Sequence, residues 1–411
     1  MQPPERRDFV LGSCAVHHGA AITTGDVSTL RLDAPGTTPG RTGRRRNKDV
    51  RFIRTGAVVG AAAAAVVLAG CGTDNNSSTP GSGSTGASCS GGTLTGAGSS
   101  FQDPMEQAWI QGFGATCSSA HITYQAVGSG AGIQQFGNGT INYAGSDVTM
   151  KPDEQTKADA KCGSKAIHIP VTAGGVGITY NLSGVDNLQL SATSLAAIFT
   201  GTAKKWDDQT IKADNPGATL PSTSIRVFIR GDDSGTTSVF KKYLKANIAG
   251  WTYGDDKKAN FPVGTGKPQS AGVSAAVAST PGGVTYVEEA FAEQRHLKLA
   301  KIKNGAGTYV ELKPAAVSAA LASATPDPQA PNDLTQKINF NPTEPAAYPI
   351  STVSYVIVCT KYAAAFKDVA LLKSFLTYAV GAGQSQATSL GFASLPATIA
   401  DAAKASVAAV A

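Results

Sequence analysis

Three times in this chain a β-forming run breaks at a glycine- and serine-rich turn and passes straight into an amphipathic helix. The stretch "GTLTGAGSSFQDPMEQAWIQGF" has a strand near Leu94, a turn at Gly96–Ser100 and a helix face of Met105, Trp109, Ile110 and Phe113. "HITYQAVGSGAGIQQFGNG" turns at Gly128-Ser129-Gly130. "SIRVFIRGDDSGTTSVFKKYL" turns through Arg230–Thr236 into a helix carrying Val239, Phe240, Tyr243 and Leu244. A further strand, "INYAGSDVTM", breaks at Gly145-Ser146-Asp147. Strands and helices alternating in this way predict an α/β fold, and 411 residues suit two domains with extensions.

In an open α/β sheet such turns gather at the carboxyl edge, where ligands bind. Each turn delivers a helix N-terminus with unpaired N–H donors and the positive end of a dipole, and the sequence predicts a hydroxyl cap at each. Singly, each is an ordinary capped turn. Together, and with Arg230 beside them, they predict an oxyanion site.

Charge adds little. Of 35 Lys/Arg, 10 lie in residues 1–70 against 5 of the 29 Asp/Glu, so the rest of the chain is almost neutral and nucleic-acid binding loses its support. The leader is informative: Arg44, Arg45, Arg46, Lys48, Arg51 and Arg54 precede the apolar run "GAVVGAAAAAVVLAG". That run is too short for a comfortable membrane span and ends in small residues, as a secretory signal does. Leu68-Ala69-Gly70-Cys71 has the form of a bacterial lipobox, which predicts lipidation of Cys71. Residues 1–70 are thus read as an N-terminal extension and lipoprotein signal peptide, and 71–91 as the lipidated cysteine and a Gly/Ser/Thr tether reaching roughly 25 Å.

Cys89, Cys117, Cys162 and Cys359 are an even set outside the cytoplasm, which predicts disulfides with three possible pairings. No Cys/His spacing favours a metal, and His121, His168 and His296 are scattered. "GTGKPQS" has the wrong spacing for a phosphate-binding P-loop, and Pro follows its Lys267. No GxSxG elbow has a credible histidine partner. The motifs leave binding without turnover, with no cofactor and no enzyme activity.

The ordered set "LTGAGSSF", "YQAVGSGAGIQQ", "AGSD", "IFTGTAKKWDDQTI", "IRGDDSGTTSVFKKYL" and "GFASLP" resembles the phosphate-specific transport substrate-binding proteins, the receptors of ABC phosphate importers. The likeness runs from Thr93 to the C-terminus, and the leader and cysteines resemble the actinobacterial branch. It implies a two-lobed periplasmic-binding-protein (type II) fold with the ligand cleft between lobes. It also implies phosphate ligands at Ser100, Phe101 (through its backbone N–H), Ser129, Asp147, Arg230, Ser234, Gly235 and Thr236. Asp232 matches the carboxylate that steadies the arginine, whereas Asp233 stands where many members have glycine. Asp147 then has a role: phosphate carries a proton that a carboxylate can accept, and sulfate carries none.

On this reading residues 92–174 open lobe I, 175–348 form lobe II, and 349–411 return to lobe I. The first two strands should be parallel neighbours, which pairs Cys89 with Cys117. Antiparallel pairing of "AIHIPV" with "SYVIVC" pairs Cys162 with Cys359. The implied partners are inorganic phosphate, an ABC permease and, through the lipid, the outer face of the cell membrane, with the protein a monomer. An extracellular adhesin with secondary oxyanion binding is the alternative.

Overall fold

The computed structural model describes residues 89–411; Cys71 and the leader lie outside them. The predicted strand–turn–helix units are present as β1 (Gly92–Gly98) into α1 (Asp103–Thr116), and β2 (Ala120–Ala126) into α2 (Ser129–Gly137). The third unit runs from the strand Arg226–Arg230 into the helix Gly235–Asn247. Next come β3 (Tyr143–Ser146), α3 (Pro152–Cys162) and β4 (Ala166–Tyr180).

One mixed sheet organises these pieces. Its order is β2, β1, β3, the strand Ser351–Cys359, β4, then Gly283–Glu288, Arg226–Arg230 and Thr265–Lys267. The first three strands are parallel, so their following turns share one edge. The fifteen residues of β4 are all buried, as a strand covered on both faces should be.

Midway along, β4 changes partner. Ala166–Gly175 pairs with Ser351–Cys359, and Val176–Tyr180 pairs with Gly283–Glu288, both antiparallel. The glycine pair at this change is required by space. A Cβ on Gly174 would lie 2.7 Å from Phe101 Cζ, and one on Gly175 would lie 2.3 Å from Leu312 Cδ1. Those clashes would push apart the layers that pack there.

Both disulfides have the expected pairing. Cys89–Cys117 joins the starts of β1 and β2, whose register puts Gly92 opposite Ala120. Cys162–Cys359 ties the end of α3 to the end of the strand paired with β4. His168 is a packed histidine: its Nε2 accepts from the Met150 N–H at 3.1 Å, which leaves Nδ1–H to donate to Asp333 at 2.9 Å. That contact fastens the 327–337 excursion to β4, and the Asp333 carboxyl is held low by His168 against the opposing effect of burial.

Candidate functional site

Two sets of turns face each other, and the chemistry lies where they touch. On one side Asp147, 2% exposed, follows β3 directly. Its Oδ1 accepts from Ser99 Oγ at 2.5 Å and Ser354 Oγ at 2.7 Å, and its Oδ2 from Ser129 Oγ at 3.2 Å. Burial pushes this carboxyl up to about 6, the Ser99 and Ser354 hydroxyls oppose the rise, and the nearby Glu288 adds to it. Behind it Gln102 bridges Ser354 to Glu106, whose own carboxyl burial raises to about 8.

On the other side stands Arg230, 3% exposed. It forks onto Asp232, Nε to Oδ1 at 2.8 Å and Nη2 to Oδ2 at 2.5 Å. Burial works against the charged guanidinium, but that fork and the field of Glu288 keep its pKa above the ordinary value. Its Nη1 donates to Thr236 Oγ1 at 3.3 Å and Ser270 Oγ at 3.2 Å. A planar fork held on one edge by a carboxylate presents its remaining N–H groups in a fixed direction. Asp232 Oδ1 also accepts the Gln269 N–H at 2.9 Å, binding the next turn to the same carboxylate.

The Gly235–Asn247 helix begins here, and Ser234 caps it by accepting the Thr237 N–H at 3.2 Å. The first-turn N–H groups of Gly235 and Thr236 have no partner within the helix, which leaves them for an anion. The hydroxyl caps expected at the other two turns are absent: neither the α1 N-cap Gln102 nor the α2 N-cap Gly128 makes a side-chain cap. Ser99 and Ser129 turn their hydroxyl protons onto Asp147, while the Ser99 oxygen accepts the Gln102 N–H at 3.2 Å and the Ser129 oxygen the Asp147 N–H at 3.4 Å.

The two sides are in contact. Ser100 Oγ lies 3.0 Å from Ser270 Oγ, the Gly130 N–H donates to the Asp233 carbonyl at 2.8 Å, and Lys257 Nζ meets both oxygens of Glu154 at 2.6 and 2.8 Å. Gly128, Gly130 and Gly235 are all pressed against the opposite side: a Cβ on Gly128 would lie 2.3 Å from Asp232 Oδ2 and one on Gly130 2.4 Å from Asp233 Cβ. A Cβ on Gly235 would meet Asp147 Oδ2 at 2.4 Å and Ser129 Oγ at 2.5 Å.

The structure therefore brings together Ser100, Ser129, Asp147, Arg230, Asp232, Ser234, Gly235 and Thr236 at one buried junction. The side chain of Phe101 points elsewhere, edge-on to Phe392 at 5.5 Å in the core, which leaves only its backbone facing the turn. Sequence reasoning missed four residues. Ser99 stood beside the chosen Ser100. Ser270 begins a fourth strand–turn–helix unit, Thr265–Lys267 into Gln269–Ala278, inside the "GTGKPQS" stretch set aside for its spacing. Ser354 lies mid-strand and Glu288 ends a strand, and neither position has a turn to mark it.

Residues 83–382 match the family described as the PBP superfamily domain. The phosphate-binding protein PstS 3 of Mycobacterium tuberculosis is 38% identical over 357 residues, covering 84% of this chain and 96% of the relative. PstS 2 of the same organism is 37% identical over 357 residues, with the same shares, 84% and 96%. Among solved structures, a high affinity periplasmic phosphate-binding protein (PfluDING) bound with phosphate superposes with a TM-score of 0.61. It is 24% identical and the match covers 76% of this chain and 93% of that one, a likeness of fold.

Proposed function

The chain belongs to the PBP superfamily and, within it, to the PstS phosphate-binding proteins, and from that membership we propose that it captures inorganic phosphate outside the cytoplasmic membrane for an ABC permease. One observation supports this above the others: a single forked arginine and a helix N-terminus oppose a buried carboxylate. Arg230 and the N–H groups of Phe101, Gly235 and Thr236 supply positive charge and donors. Asp147 supplies an acceptor, which suits an anion that still carries a proton. Asp232 limits the pull of Arg230 on anions in general by partly neutralising it.

We further propose that residues 92–174 and 349–411 form one lobe and 175–348 the other, with phosphate drawing them together. The change of partner along β4 supports this division, and the Ser100–Ser270, Gly130–Asp233 and Glu154–Lys257 contacts would be made on closure. The proposed anchor is a lipid on Cys71, outside the described residues. Cys71→Ser should release the protein from the membrane fraction or leave it unprocessed; an unmodified Cys71 in membrane-bound protein, read by intact mass, would refute the anchor.

The direct test of function is equilibrium dialysis with labelled phosphate on protein beginning at Gly72. One phosphate per chain is expected at micromolar free ligand. No retention of phosphate under those conditions would sink the proposal.

A further inference from the structure

Glu288 ends the strand Gly283–Glu288 and is 2% exposed. Its Oε1 accepts from Thr236 Oγ1 at 2.7 Å, while its Oε2 is buried with no hydrogen-bond partner among the described residues. A half-satisfied carboxylate beside an anion site is unfavourable twice over, by desolvation and by like charge. Its one side-chain hydrogen bond among the described residues is with a hydroxyl of the proposed ligand set.

We propose that Glu288 is a second specificity-determining residue, a positioning residue that holds the Thr236 hydroxyl as a hydrogen-bond acceptor. A threonine hydroxyl has one proton and two lone pairs. A carboxylate only accepts, so the proton lies toward Glu288, and Arg230 Nη1 occupies one lone pair at 3.3 Å. The remaining lone pair is all that this hydroxyl can present to a ligand. Freed from Glu288, it would rotate and donate.

The same bookkeeping applies across the junction. Ser99 directs its proton to Asp147 at 2.5 Å and Ser129 does so at 3.2 Å, while Ser354 shares its one proton between Asp147 at 2.7 Å and Gln102 Oε1 at 3.0 Å. With Thr236, three hydroxyls thus have their protons turned onto two buried carboxylates, and a fourth shares its own with one of them. Backbone N–H groups, Arg230 and the hydroxyls of Ser100 and Ser234 remain as donors, while the Asp147 carboxylate and the Thr236 lone pair are acceptors that a bound oxyanion satisfies only by bringing a proton. Glu288 extends to a second point of the site the discrimination proposed for Asp147, and the inference rests on the phosphate reading above.

The test is calorimetric titration of phosphate and sulfate near pH 8, where most phosphate carries the same charge as sulfate. Loss of negative charge alone would then shift both affinities by a similar factor, so their ratio reports proton direction. Glu288→Gln should narrow the phosphate-to-sulfate ratio by roughly tenfold, because the Gln amide can donate to Thr236 Oγ1 and release its proton toward the ligand. In a Thr236→Ala background the same change should leave the ratio alone, since the hydroxyl that couples them is gone. Thr236→Ala by itself should also narrow the ratio, which keeps the test valid if Glu288→Gln does not fold. Equal shifts for both anions in Glu288→Gln, or an unchanged ratio in Thr236→Ala, overturn the role of Glu288. Wild-type protein that binds no phosphate would overturn the phosphate reading and this inference with it, a distinct outcome.

Discussion

The most demanding prediction concerns pH and sulfate at Asp147. Its carboxyl is pushed from 3.8 to about 6, chiefly by burial. Sulfate has no proton to offer across the range from pH 5 to 8, so it should bind only where Asp147 carries one. Apparent affinity then scales with the protonated fraction, about 1% at pH 8 and about 90% at pH 5, a gain on the order of ninety-fold. The rise should be close to tenfold per pH unit down to about 6 and then level off. Phosphate keeps at least one proton throughout, so its affinity should vary far less. Asp147→Asn removes the carboxylate and adds an N–H donor, and should bind sulfate at pH 8 with no such slope. Stability supplies an independent check. The folded pKa is raised, so the native state binds more protons between pH 3.8 and about 6, and this contribution to stability is lost as pH rises through that window. A shift of just over two pH units corresponds to about 3 kcal/mol, an upper bound on how much more stable Asp147→Asn should be at pH 7. Titration calorimetry with both anions at constant ionic strength measures the first effect, and urea unfolding the second. A flat sulfate affinity from pH 5 to 8 in the wild type, or sulfate exclusion surviving in Asp147→Asn, would refute the reasoning.

Gly235→Ala places a methyl group 2.4 Å from Asp147 Oδ2, where the two sets of turns meet. Phosphate affinity should fall by roughly a hundredfold with little change in melting temperature, since alanine suits a helix start; unchanged affinity by calorimetry would show that binding does not need this contact. Glu154→Gln breaks the pair with Lys257, whose side chain is only 5% exposed. Phosphate binding should weaken by about 1 kcal/mol, roughly fivefold, intermediate between surface and buried pairs; a drop in thermal stability with affinity intact would assign the pair to folding rather than closure.

The amino-acid sequence alone determined the local chemistry of this protein. The strand–turn–helix units, the Ser234 cap and the Arg230–Asp232 fork all join residues within a few positions of one another, where backbone geometry limits the outcomes. The disulfide pairing was also legible, because parallel strand starts and antiparallel strand ends leave each cysteine one neighbour. Only the tertiary structure decided which hydroxyl faces which carboxylate. Ser99 and Ser100 are adjacent, yet one reaches Asp147 and the other Ser270, because successive side chains of an extended turn point in different directions. Ser354 meets Asp147 across 207 positions, and Thr236 meets Glu288 across 52. Such contacts depend on strand order and register, which follow from packing the whole sheet, and a serine mid-strand or a glutamate at a strand end looks the same in sequence wherever its strand is placed.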